Sequence, residues 1–291
     1  MTIQYLILLP LIALAVSKVL LQRMISRTYL KNATDSALYN ALVFGGISVL
    51  YFICTGFRLP SMHILPYGAL YGALLAGFQI LYTIALQHGP ISLTTIIITF
   101  NILFSVTFGV FYCGETLTIT HVIGLACIFV SLFLTVDIKQ VKQHKFNLGW
   151  LLTSVGATTM NGFSAIVLKL QKLSYPDEDT GMLLTTYVSA TVVLILTILF
   201  FTKVRKAPKT VALNPQRVLT MLCSSVILGA HLLLFSKGAG IIPAVVFFPV
   251  ANIAPTTVLT LFGILVFKDQ LSKQQFISLC FGIVATLLLC L

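Results

Sequence analysis

Polar residues in this chain come in short clusters. Between them run ten mostly apolar stretches, each near the roughly 20 residues that a helix needs to cross a bilayer core. They cover 3–21, 36–55, 64–86, 92–113, 118–136, 148–170, 182–202, 217–236, 241–267 and 273–291. The pattern predicts an all-α fold, a polytopic membrane protein of ten transmembrane helices. The connections are mostly short, and only "DIKQVKQHKFN" and "KVRKAPKTVALNPQR" are long enough to serve as linkers.

The pattern also repeats. Placing Glu115 on Asp269, an offset of 154 (269 − 115), also pairs Leu117 with Leu271, Thr118 with Ser272, Ile123 with Ile277 and Leu125 with Leu279. At nearby offsets "LLAGFQILYTIALQHGP" meets "VILGAHLLLFSKGAGIIP", which pairs Gly77 with Gly229 and Gln79 with His231, and Asn101 falls within a residue of Asn252. The chain therefore reads as two five-helix halves, 1–140 and 147–291. Five is odd, so the second half enters the membrane the other way up, giving the inverted repeats of many secondary transporters.

Composition excludes several alternatives. At 58% hydrophobic and 9% charged residues the chain cannot be an ordinary soluble domain, which carries about a quarter charged residues. The net charge of +11 is explained by membrane orientation rather than nucleic acid. Loops after odd-numbered spans hold thirteen Lys and Arg against four on the other side, Arg58, Lys169, Lys172 and Lys237. Both termini would then face away from the cytoplasm. The N-terminal run lacks a basic n-region and is too long for a signal h-region, so it reads as a retained first helix. The six cysteines show no CxxC spacing, so neither a disulfide framework nor a metal site is expected, and no cofactor.

All seven acids fall in or near loops, leaving no mid-span carboxylate. Glu115 and Asp269 read as structural caps at equivalent turns, with Thr118 capping the helix after the first, and Ser272 and Gln275 forming an S-x-x-Q box after the second. Polar residues inside spans mark a pathway by default. The candidates are Gln79, Asn101, Asn161, His231, Asn252 and Lys237, with interhelical hydrogen bonding as the alternative for the amides and histidine and snorkelling for Lys237, as for Lys18 and Lys169. "FFPVANIAPTTV" places Pro249 and Pro255 on either side of Asn252, each removing a backbone donor. That predicts a doubly interrupted ninth span lining a pathway. A proline kink that serves packing alone is the competing reading. Tyr71, Phe78, Tyr82, Phe100, Phe247 and Phe248 are candidate walls.

These features, above all "GETLTITHVIG" and its degenerate partner "KDQLSKQQFIS", resemble the EamA-type members of the drug/metabolite transporter superfamily. The resemblance covers essentially the whole chain and implies two inverted five-helix repeats and membrane transport. The second copy departs from the pattern, with Lys268-Asp269 where the family often has Gly-Glu, and Asn101 stands where the second half has Pro255. The small multidrug transporters related to this superfamily use a first-helix glutamate, where this chain offers Ser17 and Lys18.

The function expected is secondary transport of a small polar metabolite, an amino acid or another zwitterionic or anionic compound, by alternating access. The alternatives are export of drugs or amphipathic compounds, or a non-transporting membrane interaction subunit. With no GxxxxGK[ST] and no HExxH, neither direct ATP drive nor a zinc protease is indicated, and no enzyme is expected. The partners are a small-molecule substrate and the lipid bilayer, not nucleic acid. A homodimer is compatible with the sequence, though no span shows a sharp GxxxG dimer face. A bacterial-type cytoplasmic membrane is the simplest location, an organellar membrane the alternative.

Overall fold

The structure is a computed structural model that describes residues 4–29, 33–134, 148–204, 215–267 and 273–291. The described residues are helical apart from short connections, without strands. A 3-10 turn, Gln4–Ile7, leads into α1 (Leu8–Tyr29). There follow α2 (Ala33–Cys54), α3 (Leu65–His88), α4 (Ile91–Thr99), α5 (Asn101–Phe111), α6 (Ile119–Leu134), α7 (Leu148–Ser174), α8 (Asp179–Val204), α9 (Pro215–Ile241), α10 (Ala244–Phe267) and α11 (Lys273–Cys290). Nine helical stretches among the described residues are long and apolar enough to span a membrane, with α4 and α5 together making the fourth, and α6 is a shorter apolar helix. These are the ten predicted spans.

The chain forms two compact units that each draw on both halves. One comprises Met1–Val16, Leu81–Ile166 and Ile241–Leu291, the other Ser17–Ile80 and Val167–Gly240. The breaks after Val16 and Ile80 recur after Ile166 and Gly240, at offsets of 150 (166 − 16) and 160 (240 − 80) residues. These lie on either side of the offset of 154 read from the sequence.

In the unit containing Ser17–Ile80, α2 packs on α8 around Tyr187, whose ring meets Phe44 edge-on at 5.2 Å. Three polar bonds fasten α2 to α9. Tyr39 donates to Ser224 Oγ (2.7 Å), Tyr51 to the Gly229 carbonyl (2.7 Å), and Ser225 to the Val43 carbonyl (3.0 Å). Hydroxyls can fasten helices in lipid because the bond stays within apolar surroundings. Gly68 and Gly72 form a Gly-x-x-x-Gly face on α3, and a Cβ at either would collide with Thr185, Thr186 or Ser189 of α8. This Gly-x-x-x-Gly face corrects the expectation that no span carries one, and it is consumed inside the chain.

In the other unit α6 and α11 are joined by reciprocal bonds. Ser131 Oγ donates to the Ser278 carbonyl and Ser278 Oγ to the Ser131 carbonyl, both at 2.8 Å. Against this pair pack α10 and, through α10, α5.

Candidate functional site

The fourth span is where the helix breaks. Six consecutive β-branched residues, Thr94 to Thr99, end α4, and such residues lose side-chain freedom in a helix. Phe100 stays in the right-handed region (φ −60°, ψ −9°), but its N–H turns to the Ile97 carbonyl at 3.2 Å, a 3-10 bond. Leu103 N–H then bonds Phe100 O at 3.0 Å rather than Thr99 O, to which a regular α-helix would direct it. From α7, Thr158 Oγ1 donates to the same Ile97 carbonyl (2.9 Å), holding the end of α4 from outside. The nine residues of α4 climb about 14 Å, close to half of a hydrocarbon core about 30 Å thick.

Asn101 opens α5 at this break and is 7% exposed, on the buried stripe it shares with Ile102, Ser105, Val106 and Gly109. No donor reaches its Oδ1 among the described residues, and α5 starts without a side-chain cap. Phe100 beside it is exposed and stacks on Phe129 at 4.8 Å.

The ninth span behaves in the opposite way, which corrects the expectation of a doubly interrupted helix. Pro249 and Pro255 are both buried inside one continuous helix, α10. Neighbouring side chains bond carbonyls along the proline-bearing stretch. Asn252 Nδ2 donates to Phe248 O (2.8 Å), and the hydroxyls of Thr256 and Thr257 donate to Ile253 O (2.7 and 3.1 Å). Every residue from Ala244 to Val250 is buried, so packing also holds the segment. Phe247 and Phe248 belong to this packing, their rings 5.3 Å apart, whereas Asn252 itself is exposed.

Glu115 explains how α10 begins. Gly114 adopts φ +67°, a conformation that suits glycine, and reverses the chain so that Glu115 N–H returns to Gly109 O at 2.9 Å. The carboxylate then lies over Gly109, where a Cβ would meet Oε2 at 2.5 Å and the Ala244 Cβ at 3.2 Å. Its two oxygens accept the N–H groups of Ala244 (2.8 Å) and Val245 (2.9 Å). An anion at a helix N-terminus satisfies orphan donors and opposes the positive end of the helix dipole. The acid of the first half therefore caps a helix of the second. At the start of α6, His121 N–H donates to Thr118 Oγ1 and Thr118 N–H to His121 Nδ1, both at 3.3 Å. Asp269 and Ser272 lie outside the described residues, and Gln275 is exposed on α11.

Of the other candidates, Gln79 and Asn161 are half-buried on α3 and α7, and Asn161 offers its carbonyl to Ser164 Oγ (2.7 Å). His231 is buried on α9 with its ring 6.0 Å from that of Phe235, and Lys237 is exposed.

A buried polar cluster in the Ser17–Ile80 unit was missed by sequence reasoning. Lys172 pairs with Asp179 and donates to Pro176 O (3.1 Å), and Ser236 Oγ also donates to Asp179. Lys169 donates to Ala239 O near the C-terminal end of α9 (3.1 Å), and Ser61 donates to Glu178. Both lysines are buried, so Lys169 does not snorkel. The available signal was opposite charge on the two sides of a tight helix–helix turn, Lys172 against Asp179.

Residues 1–137 match the EamA-like transporter family. A solved structure, described as "Crystal structure of protein", aligns over 98% of this chain and 95% of its own with a TM-score of 0.77. At 14% sequence identity that likeness shows the fold alone. No curated protein matches the sequence.

Proposed function

We propose, from the premise that residues 1–137 belong to the EamA-like transporter family of the drug/metabolite transporter superfamily, that this multi-pass membrane protein is a secondary transporter. Its substrate is a small polar metabolite, an amino acid or other zwitterionic or anionic compound. It moves by alternating access, with no catalytic step. A bacterial-type cytoplasmic membrane is the location this reading favours. The observation that carries the reading is the break at Phe100, with the buried Asn101 amide beside two helix ends at mid-span depth. Broken backbone in a membrane is tolerated where protein or a water-filled cavity encloses it, and transporters bind substrates at such breaks.

Buried positive charge contributes little to this choice of substrate. Lys169 and Lys172 meet carbonyl and carboxylate groups of their own chain. The weight therefore rests on neutral amides, which both donate and accept and so suit polar solutes.

The test is a thermal-shift screen of detergent-purified protein against amino acids, organic acids, sugar phosphates, nucleosides and quaternary cations, since a ligand that binds the native state raises its apparent stability. Stabilisation by an amino acid or organic acid is the expected result. Stabilisation by hydrophobic cations alone would replace the reading with drug export.

A further inference from the structure

We infer that the break in the fourth span is a binding site for a monovalent alkali cation, built from neutral oxygens. Asn101 Oδ1 is an acceptor in a side chain 7% exposed, and no donor reaches it among the described residues. A buried acceptor left without a partner is costly, so a ligand that supplies positive charge or a donor gains by that amount. The Thr99 carbonyl stands two residues away at the C-terminal end of α4. Leu103 N–H, its partner in a regular helix, is bonded to Phe100 O instead. The C-terminal end of a helix carries the negative end of its dipole. Two oxygens and a negative helix end thus lie within three residues of one another along the chain, at one interruption.

The kind of ligand follows from the donor set. Calcium and magnesium recruit carboxylates. None of the seven acids falls within an apolar stretch of the sequence, and no cluster of three or more His, Cys, Asp or Glu exists among the described residues. Neutral amide and carbonyl oxygens at an unwound helix are the ligands that sodium takes in transporters. The same absence of a mid-span acid leaves no carboxylate there to carry a proton, so an ion bound at Asn101 is the coupling ion this site can offer. Asn101 Oδ1 and the Thr99 carbonyl are the protein ligands, and water or substrate completes the shell. Thr158 acts as a positioning residue, because its bond to Ile97 O fixes the end of α4.

The experiment compares the apparent melting temperature of purified full-length protein in sodium chloride and in N-methylglucamine chloride at equal ionic strength. Sodium is expected to raise it saturably by several degrees in the native chain and in Asn101→Asp, which retains a side-chain oxygen, and to leave Asn101→Leu unmoved. Asn101→Leu replaces an unsatisfied polar group with an apolar one of similar size, so it is expected to fold. The Asn101→Asp measurement carries the test if it does not. No sodium effect in the native chain would overturn the proposal, as would an effect that persists in Asn101→Leu. A rise produced by ethylammonium chloride but not by sodium, and lost in Asn101→Leu, would assign the oxygen to an amine-bearing substrate and also overturn it. Metabolite flux that persists without sodium would leave the transporter reading standing while removing the coupling role.

Discussion

The sequence pairs the fourth span with the ninth, and in the structure each departs from what its residues suggest on their own. The ninth carries Pro249 and Pro255 yet stays one helix, while the fourth has no proline inside it and breaks at Phe100. The difference lies in what surrounds each backbone. Around α10, hydroxyl and amide side chains bond nearby carbonyls, a continuous buried stretch encloses the segment, and Glu115 caps the start. At α4, Pro90 supplies no side-chain cap, and Thr158 takes up a carbonyl at the other end. The asparagines differ accordingly. Asn252 is exposed and bonded to its own helix, and Asn101 is buried with an oxygen that no donor reaches among the described residues. A proline in a membrane helix thus need not break it where packing encloses the segment, and here the irregularity sits in the span that has none inside it.

Removing the Glu115 cap should give the largest effect on this contrast. Glu115→Ala strips two charge-assisted bonds from the start of α10 and is expected to cost about 2–3 kcal/mol of stability, read as a lower melting temperature and lower folded yield. An unchanged melting temperature would mean that packing alone holds the ninth span. Relieving the prolines tests the same helix from within. Pro255→Ala restores a backbone donor to a helix that already tolerates its absence, so a change in stability within about 1 kcal/mol of zero is expected. A large gain would show that the helix is strained after all. The smallest effect is expected at Asn252→Ala, which removes a single side-chain bond on an exposed position and should cost at most about 0.5–1 kcal/mol. Transport by that variant should persist, because Asn252 is exposed and bonds its own helix. Loss of flux from a normally inserted Asn252→Ala protein would instead put the ninth span in the pathway.

Much of the fold was legible because spanning length and loop polarity are properties of the pattern itself. The described helices lie where the ten apolar runs do. The local backbone was less legible. Proline announces a lost donor, but the sequence does not show that Asn252, Thr256 and Thr257 will bond nearby carbonyls or that Ala244 to Val250 will be buried. The run Thr94–Thr99 was a usable signal for the break, hidden by its own hydrophobicity. Lys172 and Asp179 were assigned to a loop boundary because charge at a span end usually meets water, and only the packing of α7, α8 and α9 reveals their pairing. The role of Glu115 was legible as capping, whereas the helix it caps belongs to the other half and could be found only in three dimensions.

If the break at Phe100 and Asn101 is the working part of a transporter, flux must depend on it. The direct measurement is flux of radiolabelled amino acids and organic acids into proteoliposomes bearing the purified protein or Asn101→Leu, with intrinsic fluorescence of Trp150 confirming a matched fold. The account predicts saturable flux of at least one polar metabolite in the native protein and a loss of tenfold or more, about 1.4 kcal/mol or more, in the variant. Equal flux in both proteins, or none of any class from folded native protein, would contradict it.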